Sequence, residues 1–319
     1  MSRSIVLDTD MGSDVDDALA LALALASPEI ELCAVTTVGN ESAERARISA
    51  RLLELGGAPQ VPVHAGCRVP VLAGPGFNWF GHEGEGICEP GRALKVSEEH
   101  AVDALIRASR GPEPLDVVAV GPMTNLAVAL MKEPDFASRV RSLTIMGGHI
   151  RRVEYGGHVF APGVDYNLCS DPEASYVVLR SGIPIRLVTA DVTLQTRLLE
   201  EDLARIASVD TPFHRALTDA IRIWTPVQKR LFGGAGCDTD DGCVAFLHDP
   251  LTLAVLYDDS LCSWETLEIE AVIEGRLFRT LEHEAASEDT APLLCAVSVD
   301  AEAVRESFVE RLLSFRPEA

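Results

Sequence analysis

Apolar and polar positions along the chain repeat one unit: a short apolar run, then a longer segment with helical spacing. Residues 5–7, 31–38, 61–65, 115–120, 142–146, 185–188, 265–274 and 293–299 read as strands. Residues 17–26, 42–55, 97–109, 124–131, 171–181, 199–207, 213–232 and 301–313 read as helices, and another helix opens at 250–256. The start Ser97-Glu98-Glu99-His100 resembles a cap with an acidic first turn, and Pro172 suits the first turn of 171–181. This alternation predicts an α/β fold: an open, mostly parallel β-sheet flanked by helices. No internal repeat, low-complexity tract or long Pro/Gly linker interrupts it, so residues 1–319 are expected to form a single domain. Segments 72–91, 147–163 and 233–242 are glycine-rich loops, and loops on a rigid α/β scaffold tend to carry ligand contacts.

The junction of the first strand and first helix carries the strongest chemical signal. Residues 5–19 read Ile-Val-Leu-Asp-Thr-Asp-Met-Gly-Ser-Asp-Val-Asp-Asp-Ala-Leu, with carboxylates at Asp8, Asp10, Asp14, Asp16 and Asp17. Aspartates near a helix N-terminus are ordinary caps, but five around a glycine exceed what capping needs. So many carboxylates repel one another unless something neutralises them. Backbone N–H groups at the helix start do part of that. A hard divalent cation with oxygen ligands would do the rest.

Composition narrows the field. Net charge is −22, which argues against a nucleic-acid partner, since binding a phosphate backbone needs basic patches. No stretch of about 20 apolar residues lacks charges or breakers, so no membrane span is expected. No signal-peptide pattern is visible at the start. The eight cysteines are scattered with no Cys-x-x-Cys pair, which supports neither a zinc site nor a redox motif. Reduced thiols in a cytoplasm are the default expectation.

Four further pieces join the acidic turn. Val38-Gly39-Asn40 ends the second strand, and Val120-Gly121-Pro122-Met123-Thr124-Asn125 links a strand to a helix. Asp165-Tyr166-Asn167 precedes Asp171-Pro172-Glu173-Ala174, and His248-Asp249-Pro250 opens a later helix. Each follows a strand or opens a helix, so all can meet at one sheet edge. With the Asp-Thr-Asp-x-Gly start, these pieces resemble the inosine-uridine-preferring nucleoside hydrolase family, in its order and approximate spacing, from residue 7 to about 254.

The resemblance implies a nucleoside-hydrolase-like fold and Ca²⁺-dependent cleavage of the N-glycosidic bond of a small-molecule ribonucleoside. It implies Asp10, Asp17, Asp249 and the Val120 carbonyl as metal ligands, all oxygen donors as a hard cation demands. It implies Asp16 as the base that takes a proton from water. The turn holds two more residues than the family's Asp-x-Asp-x-Gly-x-Asp-Asp, which leaves Asp14 as a second candidate. Asn40 and Asn167 match ribose-binding asparagines, and Asp165 stands where the family usually has Glu. His248 matches a histidine that assists the leaving base in some members, and His82 resembles a histidine loop near the base. The segment 158–162 lacks the Asn and Thr common there. A homodimer or homotetramer is also implied.

Physical chemistry agrees with that assignment. Breaking an N-glycosidic bond builds positive charge on the ribose, which a carboxylate-lined pocket stabilises. A base that activates water on the far face parallels an inverting glycosidase. Two alternatives stand beside this reading. A haloacid-dehalogenase-type, Mg²⁺-dependent phosphatase also starts strand-Asp-x-Asp, but it gives no reason for the Gly-Pro-x-Thr-Asn or His-Asp-Pro pieces. A non-catalytic nucleoside- or ribose-binding relative would fit the altered 158–165 segment. Other candidates carry plainer roles. Asp8 either orients a neighbouring site residue or caps the strand end. Asn125 suits a helix start, and Trp224 suits the core or an interface. Phe77, Trp79 and Phe80 either stack on a nucleobase or anchor their loop. The run 238–241 reads as a solvated loop.

Overall fold

The computed structural model describes residues 2–72 and 76–317. Strand β1 (Arg3–Thr9) leads to α1 (Asp16–Leu25), β2 (Ile30–Thr37), α2 (Ser42–Leu55) and β3 (Val63–Ala65). Next come α3 (Ala101–Ser109), β4 (Leu115–Ala119), α4 (Thr124–Lys132), α5 (Phe136–Arg139) and β5 (Val140–Met146). A small hairpin, β6 (Val153–Tyr155) and β7 (His158–Phe160), precedes α6 (Tyr166–Ser170), α7 (Pro172–Leu179), β8 (Ile185–Val188) and α8 (Ala190–Thr193). The chain continues through β9 (Arg197–Leu199), α9 (Glu200–Ala207), α10 (Pro212–Gly234), β10 (Cys243–Phe246) and α11 (His248–Ala254). It closes with β11 (Cys262–Glu274), β12 (Leu277–His283), β13 (Thr290–Val299) and α12 (Ala301–Ser314).

Nine strands form one sheet in the order β12-β11-β13-β8-β5-β4-β1-β2-β3. Every neighbouring pair from β3 to β13 is parallel, and β11 and β12 add an antiparallel hairpin at one edge. The chain runs outward from β1 through β2 to β3, then crosses back to place β4 on the other side of β1. Strand order therefore reverses between β1 and β4, and a crevice opens beyond the C-terminal ends of those strands. Asp10 and Val120 directly follow those two ends.

Both faces of the sheet are covered. Ile5 and Leu7 of β1 pack into one cluster with Leu19, Leu21 and Leu23 of α1, while Val6 enters a second cluster with Leu105 of α3 and Leu126 of α4. Helix α1 is buried all round, consistent with its unbroken Ala-Leu run. Each fully buried Leu or Ile contributes roughly 1.5–3 kcal/mol relative to leaving it exposed. Among the described residues, no helix is long and apolar enough to cross a membrane.

Several boundaries differ from the sequence expectation, each for a local reason. Helix α3 starts at Ala101, not 97: Ser97 bridges to His64, and His100 is the cap, its Nδ1 accepting from Val102 N–H. The helix expected at 171–181 begins after Asp171, which caps it by accepting from Ala174 N–H. Leu199 belongs to β9, and α11 starts at His248 rather than 250. Strands β6, β7, β9, β10 and β12 were not expected. Of the loop expected at 72–91, residues 73–75 lie outside the described residues.

Candidate active site

The acidic turn is a folded object. Gly12 adopts φ +119°, and a Cβ there would meet Ile48 Cδ1 at 3.0 Å, so the turn requires glycine. Thr9 Oγ1 donates to Asp17 and accepts from Met11 N–H at 3.1 Å. Asp14 Oδ1 accepts from Val15 N–H at 2.6 Å, and Asp16 Oδ1 from Asp17 N–H at 3.1 Å. Backbone donors at the start of α1 thus hold these carboxylates, as a helix N-terminus favours.

A cavity of about 270 Å³ sits over this turn. Asp10, Asp14, Asp16, Asp17, Val120, Asp165, Asn167, His248 and Asp249 all line it. Carboxylate oxygens of Asp16, Asp17 and Asp249 lie within 4.8 Å of one another. Asp10 lines the same cavity but is not in that triplet. Burial, opposed by the Arg45 charge, leaves the Asp10 carboxyl raised to about 6. Burial and the Asp17 and Asp10 charges raise Asp14 to about 7. Asp16, Asp17 and Asp249 are pushed well above the usual carboxylate range, first by burial and then by neighbouring carboxylates: Asp14 and Asp10 on Asp16, Asp10 and Asp16 on Asp17, and Asp16 and Asp17 foremost on Asp249. Such a set strongly disfavours full ionisation by itself. The donors fit a hard divalent cation, which would relieve that repulsion.

Asn167 Nδ2 donates to the Val120 carbonyl at 2.9 Å and to the Met146 carbonyl at 3.1 Å, which leaves its Oδ1 for the cavity. The Val120 carbonyl keeps a second lone pair. Asp165 caps α6 by accepting from Leu168 N–H at 3.0 Å, and burial raises its carboxyl. His248 Nδ1 lies 2.7 Å from Thr193 Oγ1, and burial pushes its imidazole down to about 4. It is therefore neutral near pH 7.

Two expected site residues lie off the cavity wall. Asn40, at φ +29°, donates through Nδ2 to the Phe77 carbonyl and is not among the lining residues. His82 Nε2 lies 3.0 Å from the Ser13 carbonyl and lines a smaller adjoining pocket with Ser13, Asp14 and Trp224. Both position the loop above the acidic turn. Asp8 also stays outside: its Oδ1 accepts from Thr36 Oγ1 at 2.6 Å and Asn125 Nδ2 at 2.8 Å. Asn125 is structural, its Oδ1 accepting from Cys67 N–H.

The cavity has an aromatic wall of which the sequence offered Phe80 but not the residues of α10. Trp224 of α10 is buried in the core, as expected, and also faces the cavity with Phe80, Phe232, Leu231 and Tyr166. The Phe80 and Trp224 rings meet edge-on at 6.2 Å. Phe77 is buried against Gly39, and Trp79 lies against Arg45 instead of lining the cavity. Arg45 was missed as well. A signal existed: it precedes Ile48, Ser49 and Leu52 by three, four and seven residues, on the buried stripe of α2.

Comparison with known proteins identifies the scaffold. The model of the inosine-uridine preferring nucleoside hydrolase family matches residues 5–306. The chain belongs to this family. The pyrimidine-specific ribonucleoside hydrolase RihA of Photobacterium profundum is 34% identical over 272 residues, 82% of either chain. The inosine-uridine preferring nucleoside hydrolase of Leishmania major is 31% identical over 287 residues, 87% of this chain and 86% of that one. Among solved structures, the purine-preferring ribonucleoside hydrolase from Gardnerella vaginalis superposes with a TM-score of 0.83 at 29% identity, covering 98% of this chain and 99% of the other. A plant nucleoside hydrolase gives 0.84 at 27% identity, covering 98% and 100%. Membership in the nucleoside hydrolase family replaces the phosphatase reading of the strand-Asp-x-Asp start.

Proposed function

We propose that this protein is a Ca²⁺-dependent ribonucleoside N-ribohydrolase, built as one domain over residues 1–319. Water replaces the nucleobase at the anomeric carbon, giving free base and ribose. The observation that carries the reading is the convergence of Asp10, Asp14, Asp16, Asp17 and Asp249 with His248 on one cavity.

Asp10, Asp17, Asp249 and the Val120 carbonyl are the proposed cation ligands. A Ca²⁺ held by them would supply Lewis acidity toward water and the ribose hydroxyls. Asp16 accepts the proton that water loses. Its place beside Asp17 and Asp249 suits a base next to a cation. The same closeness favours a second reading, in which Asp16 is a ligand and Asp14 the base. Asp165 and Asn167 hold the ribose, and the carboxylate-lined floor stabilises the charge that develops on it. His248, neutral and held at Nδ1 by Thr193, donates a hydrogen bond from Nε2 to the departing base. Phe80 and Trp224 supply an apolar wall for that base.

The family resemblance supports a homodimer or homotetramer acting on a free nucleoside, the scattered cysteines fit reduced thiols in a cytoplasm, and the acidic net charge argues against a nucleic-acid partner. The deciding experiment is a reducing-sugar assay over a panel of purine and pyrimidine nucleosides, before and after chelation. Ribose release that stops with chelator and returns with added Ca²⁺ is expected. Binding without release would leave the non-catalytic reading standing, and full activity after exhaustive chelation would remove the cation from it.

A further inference from the structure

Arg45 is a cation inside the protein that neither the proposed chemistry nor the motifs of the acidic turn and its partners use. It is fully buried and heads the largest wholly buried side chains. A buried charge is costly unless every donor is satisfied. Here the acceptors are almost all backbone carbonyls. Nη1 donates to the Asp10 carbonyl and, at 3.0 Å, to the Met11 carbonyl. Nη2 donates to the Asn78 carbonyl at 3.0 Å and to Ser13 Oγ at 3.3 Å. Nε donates to the Gly39 carbonyl at 3.3 Å. The guanidinium carbon lies 5.3 Å from the centre of the Trp79 ring.

Apart from Gly39, which follows β2, these partners belong to two separate pieces of the site. Asp10, Met11 and Ser13 form the acidic turn. Asn78 and Trp79 belong to an irregular segment with no helix or strand of its own, and Asn78 and Phe80 from it line the cavity. That segment is tied down from few directions. Ser13 Oγ donates to the Asn78 carbonyl at 3.2 Å and to Glu83 at 3.1 Å, and Asn78 N–H donates to Tyr166 Oη at 2.8 Å. Asn40 holds the Phe77 carbonyl. His82 adds a direct tie, its Nε2 lying 3.0 Å from the Ser13 carbonyl, but Arg45 reaches both the turn and the segment from a third element, α2, with one rigid planar group.

We propose that Arg45 is a positioning residue that sets the Asn78–Phe80 wall against the acidic turn, and so fixes the width of the nucleoside-binding cavity. The guanidinium geometry is the essential property, not the charge alone. A lysine ammonium keeps the charge but is a compact point that cannot hold the Asp10 and Met11 carbonyls and the Asn78 carbonyl together. The inference rests on the proposed nucleosidase reading for its kinetic arm only.

The test compares Arg45→Lys with the native protein by hydrogen exchange and by steady-state kinetics. Faster exchange is expected at amides of residues 76–87, with amides of β4 unchanged. For nucleoside hydrolysis, KM should rise about tenfold, the size of one lost charge-assisted hydrogen bond, with kcat changed less than threefold. A merely structural defect would instead lower the active fraction, so kcat would fall at unchanged KM, and that result overturns the proposal. Unchanged exchange at 76–87 overturns it whether or not any nucleoside is hydrolysed, which keeps its failure distinct from failure of the nucleosidase reading. Should Arg45→Lys not fold, Ser13→Ala removes the neighbouring bridge to Asn78 and Glu83. Faster exchange confined to 76–87 supports the latch, and no change there counts against it.

Discussion

At the level of single residues, the two carboxylates that compete for the role of base can be separated by one pair of substitutions. Both line the cavity, but Asp16 belongs to the close triplet with Asp17 and Asp249 while Asp14 does not. Asp16→Asn keeps size and hydrogen bonding and removes the ability to accept a proton. It should lower kcat by roughly 10²–10⁴-fold with KM little changed. If Asp14→Asn shows that pattern and Asp16→Asn instead loses calcium in elemental analysis, the two roles are exchanged. His248 offers a second test. A nucleobase anion leaves poorly without a hydrogen bond, whereas a nitrophenolate needs none. His248→Ala should therefore slow natural nucleosides far more than a nitrophenyl riboside, and equal losses on both would reduce His248 to a structural part. Why these residues were legible in sequence and Arg45 was not is a matter of pattern. The aspartates cluster at a strand–helix junction, where capping alone has little use for five of them. Arg45 sits among Arg47 and Arg51 on the same helix, and its only mark in the sequence is its spacing on the apolar stripe, a weaker signal than a cluster of like charges.

At the level of elements, the parallel core could be read because each strand is a continuous apolar run backed by a helix. The antiparallel edge could not. Strand β12, Leu-Phe-Arg-Thr-Leu-Glu-His, mixes charge into its alternation and is half exposed, as an edge strand tends to be. Its signal was the turn: Glu274 pairs with Leu277 across Gly275 and Arg276, and Gly275 adopts φ +65°, as a two-residue hairpin turn with glycine first requires. The pair β9–β10 escaped because its strands are only three and four residues long, yet it delivers His248 and Asp249 to the cavity. Glycine at the acidic turn is where the element scale makes a prediction. Gly12→Ala would force a Cβ into φ +119° against Ile48 Cδ1 at 3.0 Å. The expected cost is about 1–3 kcal/mol of stability from backbone strain. Because the turn spaces Asp10 from Asp14, calcium affinity should fall in parallel, as titration calorimetry would register. Loss of stability with native calcium affinity would mean that the turn's shape does not govern the ligands.

At the level of the whole molecule, the buried acids make stability depend on pH in a direction that the cation should reverse. Burial, opposed by hydrogen bonds from Thr36 and Asn125, leaves Asp8 raised to about 7. Asp14 is raised to about 7 and Asp10 to about 6. Groups raised in this way hold protons in the folded state that the unfolded chain, with ordinary carboxylates near 3.9, has already released. Between about pH 4 and 7 the native state therefore binds more protons, and the cation-free protein loses stability as pH rises through that range. Asp116 sets the other limit. Burial would raise it, but hydrogen bonds from Arg141, Arg3 and Ser142 hold it at about 2. Its stabilisation is complete above the unfolded value and is lost as pH falls through about 4 to 2. The cation-free protein should thus be most stable near pH 4. A cation that binds only the folded state stabilises it more as its concentration exceeds Kd, and it competes with those protons. Thermal melts from pH 4 to 8 should therefore fall steeply towards neutral pH after chelation and flatten, or rise, with millimolar Ca²⁺. The proposed cation site fails if the two series run parallel, since the acids would then titrate without reference to the metal.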